Sequence, residues 1–399
     1  MSISPAATPI HAVEETTEAQ ALPLLRFDPW LMLGAVGLIA CSLITLHGAT
    51  KTAIPGSPLF YVERQAIYAA IGLVLVVLLA RIDYSRLREY RYALYGIMIA
   101  LDLVVFGMPA VRGSHRWIPL PFFQFQSSEF GKILLIVSLA AFAVEGLRRL
   151  GEKRTTLRIM LLAVGPALIV IPQPDLGTGL VYLAIGFTML FVAGTSWKQL
   201  TALAAIFVAS IAIILAGAPA LGVHVLKPYQ VQRLTGFLNP SRDPRNQTYN
   251  ITQSEIAIGS GQKAGRGVSG ASQTNLHFLP ENQTDFIFAV VGETYGFAGA
   301  ALVLSLYALL IWRSLRILMM SKNLYGTLIA GGILAMLLFQ VFVNVGMTIG
   351  IMPITGVPLP LMSYGGSSVL VTLIAVGLLQ SIHVQARIAS AGKARGLLS

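Results

Sequence analysis

Apolar residues in this chain come in long runs rather than in alternating positions. Ten predominantly apolar stretches stand out: Trp30–His47, Gln65–Ala80, Tyr92–Gly107, Glu129–Val144, Leu157–Ile171, Gly177–Gly194, Leu200–Ala218, Phe286–Trp312, Tyr325–Ile349 and Ser363–His383. Their length, about 17–25 residues, is what an α-helix needs to cross a hydrocarbon core ~30 Å thick. The outward/inward alternation of a membrane barrel is absent. The pattern predicts an all-α polytopic membrane protein with about ten transmembrane helices.

Three polar regions punctuate it. Residues 1–29 are polar and rich in Pro, Ala and Glu (Glu14, Glu15, Glu18), with no basic region ahead of an apolar core. They read as a disordered cytoplasmic tail and not as a cleaved signal peptide. Residues 30–390 form the membrane domain, and 391–399 a short cytoplasmic tail. Between the seventh and eighth stretches lies a long loop, 219–284. Loops beyond ~12–15 residues are usually functional or disordered. Within it, Asn250–Gly261 predicts a short helix ending at glycine. Gly261–Ser272 predicts a flexible, basic, glycine-rich turn.

Composition agrees. The chain is 55% hydrophobic and 11% charged, with mean hydropathy +0.73; a soluble domain carries roughly 25% charged residues. Cys41 is the single cysteine, so no intrachain disulfide forms, and no Cys/His metal-ligand spacing exists. The net charge of +11 reads as membrane topology and anionic lipid, not nucleic acid, because of where it falls. With the N-terminus inside, 17 of the 28 Lys and Arg lie in inner segments and four (Lys51, Arg64, Arg112, Arg116) in short outer loops. Six more (Lys227, Arg233, Arg242, Arg245, Lys263, Arg266) lie in the long loop and Lys132 in a span. This predicts an N-in, C-in chain whose long loop faces out. A net basic loop there suits an anionic headgroup or pyrophosphate, or is ordinary loop solvation.

Candidate chemistry collects on that outer face. FLPENQTDFIFAVVGETYG (Phe278–Gly296) places Glu281 and Asp285 where the long loop enters a span. With Pro280 in the first turn, the two carboxylates would be i, i+4 on one helix face, near the positive end of the dipole. They read as a general base and its neighbour, or as plain N-terminal stabilisers. QSSEFGK sets Glu129 and Lys132 at i, i+3, paired with each other or offered to an anion. RGSHRWIPLPFF (Arg112–Phe123) is an outer loop carrying Arg116 and Trp117, for sugar stacking and phosphate or for an interfacial belt. PQPDLGTG breaks the chain at Asp175, a tight turn with an N-cap. MPITGVPLPLMSYGGSS (Met352–Ser368) is Pro/Gly-broken backbone of the kind tolerated where it packs inside protein or lines a cavity. Asp102, midway in the third span, has no assigned role. No internal repeat is evident, which weighs against an inverted-repeat transporter.

Taken together, HRWIPL, FQSSEFGK, PQPDLGTG, ITQSEIAIGSG, FLPENQTDFIFAVVGE and NVGMTIGIMPITGVPLPLMSYGGSS resemble, in order and over nearly the whole chain after residue 30, the SEDS family (shape, elongation, division and sporulation). Within it the RodA type fits better than FtsW. The resemblance implies a ten-helix glycosyltransferase that polymerises lipid II at the outer face of the bacterial cytoplasmic membrane, releasing undecaprenyl pyrophosphate. It also implies a class B penicillin-binding protein as crosslinking partner. The family's essential acid, in its TDFIF motif, maps onto Asp285. Trp117, Glu129, Lys132 and Glu281 also match family positions. The chain departs from the family at Ser127 (usually Pro), Asn282 and Gln283 (usually basic or His) and Thr294 (usually acidic). Arg116, Lys132, Lys263 and Arg266 are then candidates for the pyrophosphate, and Asp175 for the substrate site. No dedicated cofactor is expected; a divalent cation (Mg or Mn) would travel with the pyrophosphate. The alternatives are a lipid II flippase, which needs polar groups along a path through the bilayer, and a noncatalytic scaffold for the penicillin-binding protein.

Overall fold

The computed structural model describes residues 27–51, 54, 56–109, 116–120, 123–146, 152–217 and 247–396. The expected tail over 1–26, Arg112, and the loop bases Lys227, Arg233, Arg242 and Arg245 lie outside them. The elements are α1 (Pro29–Ala49), α2 (Phe60–Arg81), a 3-10 segment (Tyr84–Tyr90) leading into α3 (Arg91–Val104), β1 (Trp117–Leu120), β2 (Phe123–Gln126) and α4 (Ser127–Glu145). There follow α5 (Lys153–Val170), α6 (Leu176–Val192), α7 (Trp197–Ala212), α8 (Gln247–Gly261), α9 (Ile287–Met320), α10 (Leu324–Thr348) and α11 (Gly366–Gly396).

Every expected apolar stretch falls on a helix. Among the described residues, eight helical runs are long and apolar enough to cross a membrane: Pro29–Ala49, Phe60–Arg81, Tyr84–Gly107, Ser127–Glu145, Trp197–Leu215, Ile287–Met320, Leu324–Thr348 and Gly366–Ala391. α6 has 17 residues, and α5 gives its first turns to Lys153, Arg154 and Arg158. The protein is an all-α polytopic membrane protein apart from one hairpin. α4, α10 and α11 are central and mostly buried, whereas Leu200 is the one buried residue of α7.

In lipid there is little hydrophobic drive between helices, so close approach at small residues carries the packing. A Cβ on Gly377 of α11 would stand 3.1 Å from the Val76 Cα of α2, and one on Gly72 would strike Leu373. One end of the bundle is pinned by Asp28, which sequence reading placed in the tail. Asp28 is fully buried, caps α1 through Trp30 N and Leu31 N (both 3.1 Å), and pairs with Arg313 of α9. Its backbone exchanges two hydrogen bonds with the Gln380 amide of α11 (2.9 and 3.0 Å).

Three expectations are corrected. The Arg112–Phe123 loop is, from Trp117 on, the first strand of an antiparallel hairpin pairing Trp117 with Gln126 and Leu120 with Phe123. The Phe-Gln-Phe-Gln alternation of β2 is a short period-2 signal hidden among longer runs. The eighth span also exceeds its expected bounds. α9 has 34 residues, about 51 Å of helix against ~30 Å of hydrocarbon, and it breaks at Gly296 (φ 64°, ψ −157°). The turn after α8 docks at that break: a Cβ on Gly296 would lie 2.3 Å from Gly265 N. Gly261–Ser272 is therefore a packed turn, not a flexible one.

Candidate functional site

The segment carrying Glu281 and Asp285 is not helical. It is a series of turns, and α9 starts only at Ile287, with Phe286 at its cap. Glu281 takes a left-handed conformation (φ 52°), which costs an L-residue ~1–2 kcal/mol and prevents a helix from starting at Pro280. Its carbonyl accepts from Thr284 N (3.2 Å) and Phe286 N (3.3 Å), and its carboxylate from Thr284 Oγ1 (3.0 Å). The two acids therefore do not share a helix face: Glu281 is exposed and Asp285 half-buried.

What holds Asp285 is the irregular chain between α10 and α11. Asn344, fully buried one turn before the end of α10, donates through Nδ2 to Asp285 O (2.9 Å) and Val357 O (2.8 Å). Ser363 Oγ donates to Thr284 O (2.6 Å), and Tyr364 N to Gln283 O (2.9 Å). Asp285 Oδ2 then lies over Gly356, 3.6 Å from where a Cβ there would stand. Polar side chains from the surrounding helices satisfy the rest of this backbone: Tyr307 Oη donates to Pro360 O (2.5 Å), Ser42 Oγ to Met362 O (2.7 Å) and Gln65 Nε2 to Ser363 O (3.1 Å). Broken backbone packed inside a membrane protein requires such partners.

The remaining motifs close on the same region. Gly177, at the start of α6, lets the loop pass: a Cβ there would meet Val357 Cγ2 at 2.5 Å and Thr355 O at 2.8 Å. Asp175 caps α6 through Thr178 N (3.2 Å). Its other oxygen accepts from Gln126 Nε2 (3.0 Å) and Ser128 Oγ (2.8 Å), tying the hairpin and α4 to α6. Ser367 of α11 binds the β2 backbone at Gln124 O and Gln126 N (3.0 Å each). Arg116 and Trp117 are half-buried at the start of this hairpin. Four separate motifs thus meet at one end of the bundle, with Asp285 on their polar seam.

Other candidates are placed differently. Lys132 Nζ pairs with Glu129 Oε1 at 2.6 Å, their side chains 1% and 2% exposed, so of the two readings of that motif the internal pair is the one that forms. Lys263 and Arg266 are exposed and belong to the turn docked at Gly296; Arg266 N donates to Glu293 O (2.9 Å) and its Nε to Ser260 O (3.1 Å). Gly296 lies eleven residues beyond Asp285, in the third turn of α9.

Sequence reading passed over Asn344, Gln65, Ser363 and Glu293. Glu293 is fully buried and accepts from Gln273 N (2.8 Å), Thr274 N (3.0 Å) and Thr274 Oγ1 (2.7 Å), holding the end of the long loop to α9. The usable signal was each residue's polarity inside an apolar helical run, or beside a Pro/Gly break. Among the described residues no group of three or more His, Cys, Asp or Glu comes together to hold a metal ion.

Comparison with known proteins supports this organisation. Residues 23–388 match the FtsW/RodA/SpoVE family of cell cycle proteins. The peptidoglycan glycosyltransferase MrdB of Escherichia coli is 37% identical over 369 residues, 92% of this chain and 96% of that one. A chain from a peptidoglycan synthase complex, described as coordinating polymerisation and crosslinking, superposes with TM-score 0.74 at 31% identity, covering 90% of this chain and 98% of that one. The rod shape determining protein RodA of Thermus thermophilus superposes with TM-score 0.63 at 28% identity, covering 91% and 98%. The match spans the broken loop, the hairpin and the Asp285 segment alike, and the chain belongs to the FtsW/RodA/SpoVE family, the SEDS proteins of its sequence resemblance.

Proposed function

We propose that this protein is a peptidoglycan glycosyltransferase that polymerises lipid II at the outer face of the bacterial cytoplasmic membrane during elongation. Its ten helices run N-in and C-in, as the lysine and arginine distribution indicates. The observation that carries the reading is the setting of Asp285: a half-buried carboxylate over Gly356, where four motifs converge on broken, internally satisfied backbone. Asp285 takes the proton of the acceptor sugar's 4-hydroxyl as that oxygen attacks C1 of the lipid-linked donor. The C1–O bond to undecaprenyl pyrophosphate breaks with inversion, and the chain grows by one disaccharide. Arg116 and Trp117, on the hairpin, are placed to meet phosphate and sugar. Glu281, Glu129, Lys132 and Asp175 hold the site's backbone and neighbouring helices. Lys263 and Arg266, exposed on the turn docked at Gly296, are further candidates for the pyrophosphate. A divalent Mg or Mn would travel with the substrate's pyrophosphate. The partner is a class B penicillin-binding protein, a reading supported by the similarity to a synthase complex.

Gel separation of fluorescent lipid II products tests this, using the purified full-length protein with and without its partner. Glycan ladders that require this protein are the expected result. Translocated but unpolymerised lipid II would support the flippase, and no effect on lipid II the scaffold. One variant probes the loop's placement. Gly177→Ala puts a methyl group against Thr355 and Val357, where the obstacle includes backbone. Displacing the loop by ~1 Å should cost about 10²-fold in polymerisation rate while the protein still elutes as a folded species. An unchanged rate would show that the Gly177 contact does not position Asp285.

A further inference from the structure

Asp102 sits apart from the acceptor–donor chemistry. It is 0% exposed in the last turn of α3, not midway along it, and neither carboxylate oxygen has a hydrogen-bond partner among the described residues. Around it are two more buried oxygens without partners, Ser127 Oγ and Gln173 Oε1, each on a residue 1% exposed. Ser127, the first residue of α4, lies against the Asp102 carboxylate. Gln173, in the turn before α6, donates through Nε2 to Asp102 O at 2.7 Å, which sets its Oε1 beside the same carbonyl. The two Asp102 carboxylate oxygens and the Ser127 hydroxyl thus lie together, with Gln173 tied to the Asp102 backbone beside them.

Two electrostatic features there favour a cation. A carboxylate at a helix C-terminus meets the negative end of the dipole, which disfavours it and favours positive charge. Asp175 is close enough to repel Asp102. The donors to Asp175 are neutral (Thr178 N, Gln126 Nε2, Ser128 Oγ). Neither acid forms a salt bridge with a described Lys, Arg or His; Lys132, on the same helix as Ser127, is taken by Glu129. A buried charge is normally paired or bound to a metal. One carboxylate with a hydroxyl and an amide oxygen is a hard, all-oxygen, singly charged donor set.

We propose that Asp102, Ser127 and Gln173 form a buried site for a monovalent hard cation of the sodium type. The ion fastens α3, the α5–α6 turn and the hairpin–α4 junction together next to Asp175. It goes beyond the glycosyl-transfer reading and stands without it.

The test uses the full-length protein in nanodiscs at constant ionic strength, with choline chloride replaced stepwise by sodium or potassium chloride. Sodium should raise Tm saturably, on the order of 3–6 °C, and bind one radiolabelled ion per chain. Asp102→Asn should abolish both responses and raise Tm in choline, because it removes a buried unpaired charge. Ser127→Ala, should Asp102→Asn fail to fold, should weaken sodium affinity roughly tenfold by removing one ligand oxygen. A potassium response equal to or larger than that of sodium keeps the site but overturns its sodium type. A Tm that ignores both ions, or an Asp102→Asn or Ser127→Ala protein that responds like the parent, overturns the proposal in favour of a protonated Asp102 holding water.

Discussion

Replacing Asp285 with Asn lowers lipid II polymerisation by about 10²–10⁴-fold, the usual contribution of a positioned general base. The substitution is nearly isosteric, and it leaves the segment's anchors in place. Those anchors are main-chain: Asn344 Nδ2 to Asp285 O at 2.9 Å, Ser363 Oγ to Thr284 O at 2.6 Å and Tyr364 N to Gln283 O at 2.9 Å. The introduced amide can still accept a hydrogen bond but cannot take the acceptor hydroxyl's proton as the new glycosidic bond forms. Rate therefore falls while Tm stays within about 1–2 °C, because the substitution keeps the side chain's size and the segment's main-chain anchors. Glu281→Gln is the matched control. Glu281 is exposed, and its carboxylate accepts from Thr284 Oγ1 (3.0 Å), a bond the amide oxygen of Gln can keep. Its rate should stay within a few-fold of the parent, with ladders of normal length. An Asp285→Asn protein that polymerises at the parental rate removes Asp285 as the base.

The contrast between these two acids marks where the sequence could be read and where it could not. Their presence at a membrane entry was legible, because Pro280 and the apolar run from Phe286 announce it. Their geometry was not. A helix from Pro280 satisfies local rules, but the loop after α10 offers the 283–285 backbone better partners and Glu281 turns left-handed. Those partners lie 59 to 81 positions away, beyond any periodicity argument. Spans were legible for the opposite reason: crossing lipid forces each helix to satisfy its own backbone, so the signal is local. The same logic explains the hairpin. Four residues of Phe-Gln alternation carry little weight alone, and the strand exists because Ser367 and Asp175 hold its end at Gln124 and Gln126. Asp28 was read as tail because its partners, Arg313 and Gln380, are equally remote.

Lys132→Ala is the second large effect, and its readout is stability. Lys132 and Glu129 are 1% and 2% exposed and joined at 2.6 Å, so truncating the lysine strands a carboxylate in the bundle interior. Breaking a buried pair from one side costs about 3–5 kcal/mol, because the surviving charge has lost its counterion without regaining water. A Tm fall on the order of 10 °C in nanodiscs is expected. Replacing both residues, Glu129→Met with Lys132→Met, removes the two charges together and should recover most of that loss, since a hydrophobic pair of similar volume is often as stable as the ion pair. A double variant no more stable than Lys132→Ala would mean that Glu129 has another cation to turn to. The pair of variants also separates folding from chemistry. Loss of polymer in Lys132→Ala alone follows from either cause. In the double variant, most of the stability is restored, and a folded protein that still makes no polymer assigns the Glu129–Lys132 pair a part in the chemistry. A double variant that polymerises normally confines the lysine to holding Glu129, which is what its burial and its short bond across the first two turns of α4 indicate.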